Sequence, residues 1–322
     1  MPTFCRHGTL IDACPICRGG AESERRAAAQ QGSRRATPRR SESSVRSRRA
    51  SAAGPGRLII RRETRAADDG FRSPLAPGLR SSADAERLAV ELGRASGRLA
   101  ALRSDPPGLY AEVAREPEIE EATWLAFLIA YIGPLEGADP FAAIGSVRTS
   151  WSGGELPALD DAELGPRSAH EAQRGAGTVL AYKRFAQRAG SQSEAFTAEP
   201  SWSETQRFER LYERLALPGL HRRARYDLLV TLGALGRYPL SAASLLLSED
   251  DTVNRAAKRV FGIGDRLTLE RRVRELADAA EVPVSAFDLG LENWAAQAPS
   301  SLGVPDARDD AARERVTRAL GL

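Results

Sequence analysis

Cys5, His7, Cys14 and Cys17 stand near the N-terminus as Cys-x-His-x6-Cys-x2-Cys. Zinc takes four soft or borderline ligands in a tetrahedron, and Cys-x2-Cys supplies two of them from one tight turn. Gly8 and Pro15 favour the turns such a knuckle needs. A disulfide pairing is a poor alternative, because three cysteines leave one unpaired. A catalytic thiol lacks a second histidine nearby in the sequence. The expectation is a structural zinc in residues 1–20, with chance clustering or a redox role as the alternatives. So small a knuckle has almost no core, so its folding depends on the metal.

A second set of residues has the chemistry of a phosphate grip. Val260-Phe261-Gly262-Ile263-Gly264-Asp265 lies between two stretches of helical hydrophobic spacing. Glycines one residue apart permit a turn too tight for side chains. The following helix then opens with outward amides, which suit a phosphate. Arg266, Arg271 and Arg272 follow and add charge, and Lys258 precedes. The simpler alternative is a turn between two packed helices. The pattern resembles the helix-hairpin-helix element of the DNA glycosylase superfamily. In that superfamily an apolar run after the hairpin ends in an aspartate that works on the target nucleotide. Here Val282 to Phe287 leads to Asp288. An aspartate at a helix start is also an ordinary cap or first-turn acid.

An ordered set of segments is similar to the alpha-glutamyl/putrescinyl thymine pyrophosphorylases, clade 3. The segments are Trp124 to Glu136, Asp139-Pro140-Phe141, Leu164-Gly165-Pro166-Arg167, Ala189-Gly190-Ser191-Gln192, Arg214 to Gly219, Arg225 to Val230 and Ala257 to Phe261. The resemblance runs over about residues 84–298. It implies an all-α, glycosylase-like domain acting on DNA bases. The wider family's chemistry replaces a pyrophosphate, carried on the 5-methylene of a thymine-like base, by an amine. Under it, Lys258, Arg266 and Arg271 would stabilise the leaving pyrophosphate. Asp288 or Glu136 would take the proton of a small incoming amine. Gly262, Gly264, Arg266, Arg271 and Arg167 would hold DNA. A lone loop acid such as Glu136 is otherwise a solvated residue, and Arg167 otherwise a surface arginine. A glycosylase using Asp288 to stabilise the sugar cation is one alternative function. A non-catalytic DNA-binding or anti-phage module is another.

These residues need elements to position them. The chain of 322 residues is 42% apolar and 28% charged, with a net charge of +3, enough for one large core plus appendages. Lys183 and Lys258 are the only lysines; the arginine, alanine and glycine bias suggests a GC-rich bacterial genome. No apolar run approaches the roughly 20 residues that cross a bilayer, and no secretory signal is visible. The expected location is the cytoplasm. Between Arg18 and Arg72 fifteen arginines face six acids, in a background of Ser, Ala, Gly and Pro. Residues 21–81 therefore read as a disordered basic linker, either a salt-dependent grip on phosphates or a plain tether.

The helical domain is expected over residues 82–298, with a linker and short helix over 299–322. Ser82 is placed to cap the first helix, and Asp105-Pro106-Pro107 to stop it. Further helices are expected over Leu109 to Arg115, Glu118 to Ile132, Glu171 to Ala189, Ser203 to Leu215 (opened by a Ser203–Gln206 capping box) and Ala311 to Leu320. Strand signals are weak throughout, and no Walker, Rossmann or His-Glu-x-x-His motif appears.

Overall fold

A computed structural model describes residues 66–322 apart from 198, 250 and 297. The cysteine knuckle and most of the basic linker lie outside the described residues. Among those described, the regular structure is α-helix, with one short 3-10 turn and no strand. The helices are α1 (Ser82–Ser104), α2 (Leu109–Arg115), α3 (Ile119–Ile132), α4 (Ala142–Val147), α5 (Gly177–Ala189) and α6 (Gln192–Thr197). They continue with α7 (Glu204–Arg214), α8 (Arg222–Ala234), α9 (Thr252–Phe261), α10 (Arg266–Ala280), α11 (Ala286–Ala295) and α12 (Asp310–Leu320). None is long and apolar enough to cross a membrane.

Helix α1 is the hub, packing against α11, α12 and α8. Leu88, Leu92, Leu99 and Leu102 recur at helical spacing and are all buried. On one side, α9 packs against α11 and α10, and α10 against α12. On the other, α3 packs on α2, α6 and α8. Helix α3 is buried nearly all round, as its continuous apolar run requires. Its Trp124, Phe127 and Tyr131 form a stacked column, and Phe127 stacks on Tyr182 of α5 at 3.8 Å.

Several helix ends follow the sequence. The Ser203–Gln206 capping box is present in both directions, at 3.1 and 3.2 Å. Other ends differ. Ser82 is the first residue of α1 and not its cap; the Asp69 carboxylate accepts from the Ser82 amide at 2.9 Å. The expected helix from Glu171 is cut at Gly175, whose φ of +48° ends a 3-10 turn before α5 begins. The short helices α4 and α6 carry too few apolar positions for a periodic signal.

The folded unit also begins earlier than Ser82. Ala76 and Leu79 are core residues. Gly78 donates to the Val260 carbonyl at 2.9 Å. A Cβ on Gly78 would stand 2.3 Å from the Arg259 carbonyl oxygen and 2.7 Å from the Gly262 nitrogen. Both are backbone atoms at the root of the hairpin, so neither can swing away. Gly78→Val is therefore expected to cost about 1–3 kcal/mol through overpacking. It should also raise amide exchange in residues 259–264. A melting point and exchange rates equal to wild type would show that this segment is not fastened to the hairpin.

Candidate functional site

The hairpin joining α9 to α10 forms where the sequence places it. Val253, Ala256, Ala257, Val260 and Phe261 bury one face of α9. Leu269, Val273 and Leu276 bury one face of α10. Gly262 ends α9 at φ +80° and ψ 170°, a region open essentially to glycine alone. Gly264 has an ordinary φ, and a Cβ there would meet Thr268 side-chain atoms at 3.2 and 3.3 Å. The turn thus demands glycine at Gly262, while Gly264 is a matter of local room. The Arg272 guanidinium fastens the turn from within by donating to the Phe261 carbonyl.

The tip projects from the surface. Ile263 is 94% exposed and Leu267 73%. Lys258, Arg266 and Arg271 are exposed around it, with Arg271 3.5 Å from Glu275. Asp265 caps α10 by accepting from the Thr268 amide at 2.8 Å. That cap uses one of the free amides of the helix start. The Arg266 and Leu267 amides find no protein acceptor among the described residues. The arrangement offers two amides and three cations to an anion, with one carboxylate in opposition.

Asp288 is in a different environment. It lies in the first turn of α11, 1% exposed, and does not cap its helix. Arg167 Nη2 donates to Asp288 Oδ2 at 2.8 Å. Arg222 Nη2 lies 2.6 Å from Oδ1, a close ion pair that misses hydrogen-bond alignment. Arg167, 2% exposed, also pairs with Asp227 through Nε at 3.0 Å and with Glu292. Arg222 also pairs with Asp251 at 2.9 Å, and Arg223 with Glu292 at 2.6 Å. Arg222 further donates to the Leu245 and Leu246 carbonyls, while Glu270 accepts from the Leu245 and Leu247 amides at 2.7 and 2.9 Å. The cluster thus ties the loop before α5, α8, α9, α10 and α11 together. Asp251 is also the N-cap of α9, so the hairpin's first helix is anchored in this cluster.

Burial and charge act oppositely on the two carboxylates that share Arg167. At Asp288 burial disfavours the charge, but the Arg222 and Arg167 guanidinia outweigh it and hold the carboxyl below its ordinary range. At Asp227 burial wins over the pull of Arg167, and the nearby Asp288 charge adds to the rise. One carboxylate is locked in its charged form, and the other is drawn toward the neutral acid.

The residues singled out from the sequence therefore separate into three places. Gly262, Gly264, Arg266, Arg271 and Lys258 meet at the hairpin. Asp288 and Arg167 meet in the buried cluster, where Arg167 is committed to three carboxylates and not open to a phosphate from solvent. Glu136 stands apart, in the exposed loop after α3. It accepts from the Ser300 hydroxyl at 2.9 Å and the Ser301 amide at 3.0 Å. Cys5, His7, Cys14 and Cys17 lie outside the described residues. Among those described, no group of three or more His, Cys, Asp or Glu could hold a metal ion.

Sequence reasoning missed Asp227, Glu292 and Arg222. One signal was available for Glu292: it follows Asp288 by four residues, so both project from one face of α11. Asp227 sits inside the Arg225-Tyr226-Asp227 segment, but its partner Arg167 is 60 positions away. Comparison with protein-family models, curated proteins and solved structures gave no match to this chain.

Proposed function

We propose that this chain grips DNA through the α9–α10 hairpin and modifies a base, replacing a pyrophosphate on the 5-methylene of a thymine-like base by an amine. The observation that carries the reading is the exposed Gly262–Asp265 turn, with two open amides and Lys258, Arg266 and Arg271 around it. Phosphates suit both the amides and the cations. The target base would leave the stack to react. The bond from the methylene carbon to pyrophosphate oxygen breaks, and a carbon–nitrogen bond forms. The amine's surplus proton passes to a carboxylate, and pyrophosphate leaves with its charge met by the hairpin cations. Glu136 is the solvent-accessible carboxylate of the two candidates; Asp288 would first have to exchange an arginine partner. A cytoplasmic location and a structural zinc held by Cys5, His7, Cys14 and Cys17 belong to the same reading. The donor set fits zinc, and metal analysis should find about one zinc per chain, lost in Cys14→Ser plus Cys17→Ser.

A second reading, a DNA-binding module without catalysis, is favoured by the burial of Asp288 between Arg167 and Arg222. Mass spectrometry of nucleosides from cells with and without the gene separates the readings. A gene-dependent, amine-substituted pyrimidine in intact strands supports the modification reading. Free base and abasic sites indicate a glycosylase. Unchanged nucleosides alongside measurable DNA binding indicate the module.

A further inference from the structure

Single exposed apolar side chains are common on protein surfaces, but two at one projecting tip need a reason. Ile263 and Leu267 are 94% and 73% exposed, whereas every other exposed large apolar side chain among the described residues is at most 40% exposed. Neither stabilises the fold by burial. The packed faces of α9 and α10 are completed by Val260, Phe261 and Leu269, all buried. Gly262 turns the chain at φ +80°, with Phe261 in the core before it and Ile263 in solvent after it. The base of the turn is pinned by the Gly78 amide on the Val260 carbonyl, at 2.9 Å, and by Arg272 on the Phe261 carbonyl. A projecting turn that is already fixed costs little to order on binding.

The surroundings of the tip indicate what it meets. Leu267, Arg271 and Arg274 recur at i, i+4 and i+7 and are all exposed, so one line of α10 runs from an apolar start into two cations. Lys258 and Arg266 add charge near the turn, and the open Arg266 and Leu267 amides lie at the same helix start. A matching partner presents anionic groups beside apolar surface. Duplex DNA does so, with phosphates flanking stacked base pairs. An anionic membrane does so too, but an interfacial anchor rests on a broad apolar helix face. Here the apolar part is two side chains, with the Asp265 carboxylate between them in sequence. One or two aliphatic side chains suffice for a wedge between base pairs.

We propose that Ile263 and Leu267 form an apolar wedge that presses between two neighbouring base pairs of duplex DNA, while the adjacent amides and cations hold the flanking phosphate. The inference rests on the DNA reading and deepens it. The amides grip one strand, and the wedge unstacks the step beside it, which lowers the cost of bringing a target base out. A wedge also favours sites that are already loosely stacked, a preference that phosphate contacts alone do not give.

The test compares wild type with Ile263→Ser plus Leu267→Ser on a matched duplex and on the same duplex carrying one mismatched pair. Vesicles of phosphatidylserine and phosphatidylcholine are the third probe. Fluorescence anisotropy at several salt concentrations reads the duplexes, and sedimentation reads the vesicles. Both side chains are exposed, so the serine variant should melt like wild type. Its affinity for the matched duplex should fall by roughly tenfold or more at every salt concentration, with the slope of log affinity against log salt unchanged. Wild type should bind the mismatched duplex more tightly than the matched one, and the serine variant should not distinguish them. Ile263→Leu plus Leu267→Met, which keeps the tip apolar, should bind like wild type. The proposal is overturned if the serine variant binds duplex as wild type does or keeps the mismatch preference, or if the tip is needed for vesicles and not for duplex. The two readings fail separately. Salt-dependent duplex binding that ignores the tip removes the wedge and leaves the phosphate grip standing, whereas no duplex binding by wild type removes both.

Discussion

Asp288→Asn lowers the melting temperature by on the order of 10 °C while leaving DNA affinity within a few-fold. The expectation rests on two buried guanidinia. Removing one partner of a buried ion pair costs about 3–5 kcal/mol, because the other charge stays behind uncompensated. Here one carboxylate serves both Arg167 and Arg222, and the remaining Asp227, Glu292 and Asp251 compensate them only in part, so the lower end of that range applies. Asparagine keeps the shape, but turns an N–H toward one of the arginines in place of an acceptor. For a domain of this size about 1 kcal/mol moves the midpoint by roughly 2–4 °C. Under the proposed function DNA affinity is spared, because the hairpin and not Asp288 would meet the phosphates. A variant that melts like wild type would remove Asp288 from the structural core and return it to the list of catalytic candidates.

The same cluster sets the sign of the acid response. Asp288 has a folded-state carboxyl held below its ordinary value of 3.8. Its contribution is therefore complete above that value and is lost as pH falls through the depressed folded pKa. Asp227 is shifted the other way from 3.8. The native state binds that proton before the unfolded chain does, so Asp227 adds stability as pH falls from its raised pKa toward 3.8. Asp227→Asn should cost less at neutral pH than Asp288→Asn and should abolish this gain. Urea midpoints across the acid range measure both; equal costs for the two variants would contradict the opposed shifts.

The contrast explains what the sequence could disclose. The hairpin was legible because its signals are local: a 3.6-residue apolar period on each side and two glycines between. Local steric rules then decide that Gly262, at φ +80°, is the indispensable one. Most of the longer helices were legible for the same reason, down to the Ser203–Gln206 box, whereas the short α4 and α6 were not. The buried cluster was not. Arg167, Arg222 and Asp288 are separated by 55 and 66 positions, and charged residues in an arginine-rich chain read as surface by default. Nothing in the spacing shows that Arg167 turns inward. The start of the folded unit was missed for a related reason. Residues 66–81 look like more of the basic linker, yet Ala76 and Leu79 fill the core. Deleting residues up to 80 would remove part of the core, so whether the arm contributes to DNA binding is tested by deleting 21–62, short of the folded unit.

The combined variant Lys258→Ala, Arg266→Ala, Arg271→Ala is expected to lower DNA affinity by on the order of tenfold to a hundredfold near physiological salt. All three side chains are exposed, so the melting temperature should move little. The salt dependence carries the sharper signature. Each phosphate contact contributes about 0.9 to the slope of log affinity against log salt, so losing three should flatten it by close to 3. Fluorescence anisotropy on duplexes of unrelated sequence, at several salt concentrations, reads both quantities. The loss should be uniform across sequences, because phosphate contacts position the protein and do not read bases. Gly262→Val complements it. A side chain at φ +80° and ψ 170° is expected to cost about 1–3 kcal/mol and to move the amides of the turn. It should therefore weaken binding without changing charge, whereas Gly264→Ala asks only that Thr268 yield by a few tenths of an ångström. If the triple variant binds with wild-type affinity and slope, the exposed turn is a connection between two packed helices, and the cations around it are ordinary solvated surface.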